Sequence, residues 1–82
     1  MKARVYVSFK TTVLDPQGKT ICSALQGMGY PEITDVRQGK YFEISISGET
    51  NAELAEQRLK EVAREVLANP VIEDFRVEVL HG

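Results

Sequence analysis

This chain of 82 residues has no tryptophan, a single cysteine, a single histidine and three prolines. No apolar run approaches the roughly 20 residues that cross a bilayer as a helix. The N-terminus carries neither the apolar stretch nor the small-residue cleavage site of a secretory signal. Cys22, being alone, excludes an intrachain disulfide and a cysteine-based metal cage. In its helical pattern it reads as a small core residue. An excess of positive charge is missing as well. Ten Lys and Arg stand against twelve Asp and Glu, a formal charge of −2, and the pI is near 5.3. That balance gives no general electrostatic hold on DNA, RNA or an anionic membrane, and leaves only a local basic patch open. The expectation is a soluble, cytoplasmic chain without nucleic-acid or membrane partners.

What is present fits one domain over residues 1–82. A chain of this size buries only about 60% of the surface exposed when unfolded, so its core is thin. A thin core leaves little room for an enclosed active site. It favours a binding module, a subunit or an obligate oligomer.

Residues 3–10 alternate as a half-buried strand, with Val5, Val7 and Phe9 on one face and Arg4, Tyr6, Ser8 and Lys10 on the other. Asp15 and Pro16 read as the N-cap and first position of a helix over 16–28. Ile21, Ala24, Leu25 and Met28 form its apolar stripe, and Gly29 is a left-handed stop. Residues 33–47 read as two strands around a tight turn at Gln38-Gly39. The second arm alternates cleanly through Phe42, Ile44 and Ile46. The first, 33–37, alternates poorly, because Ile33 and Val36 are out of phase, and reads as an edge strand or a bulged one. Thr50 to Glu53 has the spacing of a capping box. Ala55, Leu59, Val62 and Val66 then step along one helical face, with Glu56, Lys60 and Arg64 opposite and Glu56 with Lys60 a favourable pair. Asn69-Pro70 ends this helix, with Asn69 as a left-handed stop. A last strand, 73–80, points Phe75, Val77 and Val79 inward, and His81-Gly82 is a frayed tail.

The order strand-helix-strand-strand-helix-strand predicts an α+β two-layer sandwich: a ferredoxin-like, antiparallel four-stranded sheet with both helices on one face. An exchange of elements between two copies would use the same order. The uncovered sheet face carries Tyr6 and Tyr41 among long charged side chains. It is either a solvated face or one buried against another subunit.

Catalytic chemistry has no foothold. The histidine is next to the C-terminus, with nothing to orient it. Gly27-Met28-Gly29 lacks the spacing and the Lys-Ser or Lys-Thr of a phosphate loop. The Cys-x-x-Cys of metal carriers with this topology is absent. Tyr41-Phe42 only faintly resembles the aromatic motifs of RNA-recognition domains, since Phe42 faces the core. The residues thus describe a non-catalytic module.

Three segments say more. In Val13-Leu14-Asp15-Pro16-Gln17-Gly18, a glycine in the first helical turn costs up to about 1 kcal/mol relative to alanine, so something packs or binds close to Gly18. Arg37-Gln38-Gly39-Lys40-Tyr41 reads as a hairpin tip presenting two cations beside an aromatic ring. It is either a partner contact or a charged turn that keeps an edge soluble. Both segments are anion-friendly. Leu67-Ala68-Asn69-Pro70-Val71-Ile72-Glu73-Asp74 forms a sharp helix-to-strand corner.

Together, in this order and spacing, these segments resemble the PurS family, the small subunit of phosphoribosylformylglycinamidine synthase, and the resemblance covers the chain end to end. Thr12 stands where the family commonly has glycine. The resemblance implies a non-catalytic subunit of a complex that uses glutamine and ATP to convert formylglycinamide ribonucleotide to formylglycinamidine ribonucleotide. It implies a dimer that bridges a glutaminase subunit and a larger synthetase subunit and assists ammonia transfer, with ATP and Mg used by the complex and no cofactor in this subunit. Asp15, Pro16, Gln17, Gly18, Arg37, Gly39, Lys40 and Tyr41 are then candidate partner contacts, and Tyr6 with Tyr41 the candidate interface face. The alternative is a regulatory domain of similar topology that binds an amino acid at the Asp15–Gly18 turn.

Overall fold

The computed structural model describes residues 1–48 and 51–80. The elements are β1 (Lys2–Phe9), α1 (Pro16–Gly27), β2 (Gly39–Ser45), α2 (Ala52–Val62), a π-helical turn (Ala63–Leu67) and β3 (Glu73–Leu80). The sheet has three strands, not four, in the order β2-β1-β3, with both pairings antiparallel. The expected strand over 33–37 is an arm without regular secondary structure, and the expected hairpin at Gln38-Gly39 is not formed. The arm's nearest partner is α1, not β2. The Gln26 amide donates to the Ile33 carbonyl at 2.8 Å, and the Gln38 main-chain N–H donates to an Asp15 carboxylate oxygen at 2.6 Å.

The register explains the outline of the molecule. Val5 faces Phe42 on one side and Val77 on the other, while Tyr6 faces Tyr41 and Arg76. The two sheet faces are therefore those the alternation predicts. Ala3, Val5 and Val7 are buried, with Phe42, Ile44, Phe75 and Val77 around them. Ser8 pairs with Gly39 at the far end of the β1–β2 ladder. Everything between these residues must therefore leave and return at one end of the sheet. Residues 10–38 do so as a projecting finger made of α1 and the arm, and α1 has no extensive contact with any strand. The molecule measures 50 × 30 × 14 Å with a radius of gyration of 16.1 Å. A compact chain of this length has about 12 Å. The expectation that both helices cover the sheet is corrected: only α2 packs on it, mainly over β3.

The stripe on α2 is corrected as well. Asn51 caps the helix, its side-chain oxygen accepting from the N–H groups of Glu53 and Leu54; Thr50, the expected cap, lies outside the described residues. Ala55, Leu59 and Ala63 are buried, then Ala68, whose N–H reaches the Ala63 carbonyl at 2.8 Å. This π-type bond spans five residues and rotates the later side chains. Val66, expected in the core, is consequently exposed, and Val62, just before the turn and also expected in the core, is exposed too. Glu56 and Lys60 form their pair at 3.3 Å. Asn69 does not adopt a left-handed conformation. Its side chain accepts from Val71 N–H and its carbonyl from Ile72 and Glu73, which turns the chain through a different bond set. Gly29 does take positive φ, as expected of the stop after α1, and Thr12 needs none. His81-Gly82 lies outside the described residues.

Candidate functional site

The finger joins the sheet at an elbow built on Asp15. Its carboxylate, 3% exposed, caps α1 by accepting from Gly18 N–H at 2.9 Å and holds the arm through Gln38 N–H at 2.6 Å. These bonds, that from Gly18 first and from Gln38 next, hold its pKa below the ordinary carboxylate value of 3.8; burial opposes them and the nearby Arg37 charge assists. Pro16 occupies the first helical position, where no N–H is needed. Gly18 is buried because the arm lies directly on it: a Cβ there would overlap the Val36 carbonyl oxygen. The close neighbour anticipated at Gly18 is therefore the chain itself.

Arg37 is also turned inward. Its guanidinium donates to the Lys10 carbonyl at 2.9 Å and the Val13 carbonyl at 2.8 Å, tying the arm to the loop that leaves β1. Gln38 bonds the Gln17 side chain at 2.7 Å. The projecting two-cation tip expected at Arg37 and Lys40 is thus corrected. Arg37 is a clamp, and Lys40 lies on the helix-side face, with its ammonium 5.7 Å from the Phe42 ring centre. Asp15, Gln17, Gly39 and Lys40 line one cleft of about 180 Å³ with Ser8 and Glu73. Tyr41 does not join them. It is on the opposite face of β2.

There Tyr41 meets Tyr6, ring centres 5.9 Å apart and tilted by 38°. Across the sheet, Arg76 stands 4.3 Å over the Tyr6 ring, and Arg4 6.0 Å from the Tyr41 ring. Arg4 lies between Glu43 and Glu78 at 3.9 and 4.0 Å, and the Tyr6 hydroxyl donates to Glu78 at 3.3 Å. Sequence reasoning placed Arg4 on this face beside Tyr6 but proposed only the two tyrosines as contacts, and it did not name Arg76, which has the phase of Glu78. The face offers planar aromatic and guanidinium surfaces with both charges present, the chemistry enriched at protein contacts. Among the described residues no three His, Cys, Asp or Glu side chains gather as a metal set. The Cys22 thiol is held between the Ile33 carbonyl and the Gln26 amide, with no base beside it.

A model of the family described as PurS, phosphoribosylformylglycinamidine (FGAM) synthase, matches residues 2–81. The chain belongs to the PurS family. It is 49% identical over 78 residues to the phosphoribosylformylglycinamidine synthase subunit PurS of Bacillus subtilis, covering 95% of this chain and 90% of that one. The Methanocaldococcus jannaschii PurS crystal structure superposes with a TM-score of 0.88 at 34% identity, covering 99% of this chain and 96% of that one. A chain of the PurLQS structure from Thermotoga maritima does so with 0.84 at 32%, covering 96% and 95%. The PurS fold therefore includes this three-stranded sheet and its two helices. No helix among the described residues is long and apolar enough to cross a membrane.

Proposed function

We propose that this PurS chain is the small, non-catalytic subunit of a phosphoribosylformylglycinamidine synthase, self-associated, and that it links the glutaminase subunit to the larger synthetase subunit so that ammonia passes between them. ATP and Mg act in the complex and not on this chain. The observation that carries the reading is the match along residues 2–81, with a PurS subunit of B. subtilis at 49% identity and a chain of PurLQS among the structural relatives. The geometry supports it: a thin domain with an open face of Tyr6, Tyr41, Arg4 and Arg76, and exposed apolar side chains at Leu14, Met28, Val66 and Val71, is built for contact.

In this reading the proposed contacts are Tyr6 and Tyr41 on the open face, with Gln17, Gly39 and Lys40 at the elbow cleft. Asp15, Pro16, Gly18 and Arg37 hold the shape that presents them. The amino-acid-binding alternative loses its site, because the α1 start it needs is filled by the chain's own arm. The test is co-purification of the tagged chain with the glutaminase and synthetase of the same source, with glutamine and nucleotide present. A stable three-component complex is the expected result. Failure of both partners to associate under every condition refutes the proposal.

A further inference from the structure

The helix-to-strand corner over residues 67–74 takes no part in the contacts proposed above. Its own bonds explain its shape. The Asn69 side chain and carbonyl accept from Val71, Ile72 and Glu73, and the Asn69 N–H donates to a Glu73 carboxylate oxygen at 2.8 Å. They do not explain its apolar surface. Val71 is 78% exposed within the turn itself, a position that turns fill with small or polar residues. Val66 is 75% exposed because the π-helical turn carries it off the buried side of the helix. Single π-turns of this kind recur at functional sites.

The corner also borders a cleft of about 320 Å³, where Ala68, Pro70 and the half-buried Phe75 ring give the apolar lining. Lys10, Arg64, Glu73 and Asp74 give the charged lining. Three of these charges are engaged by the chain itself. Glu73 accepts from the Asn69 N–H, and Lys10 stands 3.9 Å from Asp74. Arg64, in the π-helical turn, makes no hydrogen bond or ion pair among the described residues. A helix end favours a cation in its last turn, but that does not account for a planar guanidinium left open beside apolar lining. The unmatched charge of the cleft is therefore positive, and its geometry suits a carboxylate held by two parallel bonds. We infer that this corner is a further contact surface, and that its occupant is a segment of a different subunit of the synthase carrying a carboxylate beside a bulky apolar side chain. The carboxylate pairs with Arg64, the apolar side chain lies on Ala68, Pro70 and Phe75, and Val66 and Val71 extend the apolar contact. This deepens the proposed subunit role and rests on it. Glu73 lines both this cleft and the one at the elbow, so a partner seated at Gln17 and Lys40 reaches the corner without a gap.

The test titrates the full chain against the glutaminase, the synthetase and their mixture, with glutamine and nucleotide present. Arg64→Glu and Val71→Asp should each weaken association with the mixture about tenfold or more, as like or unpaired charge at a contact does. Arg64→Lys, which keeps the charge but not the fork, should weaken it less. All three positions are exposed or conservative, so melting temperature and light-scattering mass should stay those of the wild type. If either charged variant melts lower, Arg64→Gln and Val71→Ser make the same comparison with less disturbance, and the same weakening is expected. Wild-type affinity in both the Arg64 and the Val71 variants, while the wild type itself assembles, overturns the inference and leaves the subunit role standing. An altered light-scattering mass with unchanged affinity for the mixture also overturns it, because the corner then joins copies of this chain. A wild type that binds neither subunit nor their mixture refutes the subunit role, and the inference falls with it.

Discussion

Asp15 is a buried polar side chain that joins two segments distant in sequence. One carboxylate closes the helix start and anchors the returning arm, and both bonds favour its charged form. The consequence for pH follows from the sign of the shift. A carboxyl whose folded pKa lies below its unfolded value stabilises the fold above that unfolded value. The stabilisation is lost as pH falls from about the ordinary 3.8 through the lower folded value. Thermal melts should therefore show a steeper loss below pH 4 for the wild type than for Asp15→Asn. The Asn variant should already melt lower at pH 7, because an amide cannot accept at both oxygens. Equal acid sensitivity in the two proteins would contradict this assignment. Gly18→Ala makes the companion test. With no space for a Cβ against the Val36 carbonyl, the arm must shift, at about 1–3 kcal/mol. Were Gly18 only a poor helix former, the same change would stabilise the chain.

At the scale of elements, the finger depends on a clamp that sequence pattern does not reveal. Arg37→Ala removes two charge-assisted bonds to carbonyls at an exposed site, an expected loss of about 1 kcal/mol, or about 4–8 °C in Tm for a domain of this size. An unchanged Tm would return Arg37 to the role of a free surface cation. The π-turn makes a contrasting pair. Val66→Glu should change stability by less than about 0.5 kcal/mol, whereas Ala63→Leu, at a fully buried position, should cost about 1–3 kcal/mol. Urea denaturation of the two variants distinguishes this phase from the regular helical one, which assigns Val66 to the core.

The same elements show what was legible beforehand. Strands β1, β2 and β3 were readable because a period of two survives in every one of them, and α1 because Asp15, Pro16 and Gly29 act locally. The arm was misread as a strand because propensity cannot tell a segment that pairs with an edge from one that lies along a helix. That choice is made by Asp15 and Arg37, over separations of more than twenty residues. Val66 departs from the expected stripe because the pattern assumes a regular helix across a turn with one extra residue, whereas Val62 lies before that turn and its exposure is not explained by it. At the site, the tyrosines were visible from alternation, whereas the inward direction of Arg37 was not.

The whole molecule is elongated, thinly cored and rich in exposed apolar and aromatic surface, which suits a subunit whose stability and role both lie in contact with others. Small size limits the core that one chain can bury, and the self-association proposed above would supply the remainder. The proposed subunit role gives this chain no hydrolytic step of its own, so purified chain should hydrolyse neither glutamine nor ATP. Activity that tracks the protein through a sizing column would contradict that expectation. The most direct measurement of the central claim is reconstituted turnover of the glutaminase and synthetase, with and without this chain, using either glutamine or free ammonium as nitrogen donor. The account predicts that omitting the chain abolishes glutamine-dependent turnover while ammonium-dependent turnover falls much less. Full glutamine-dependent turnover in its absence would contradict it.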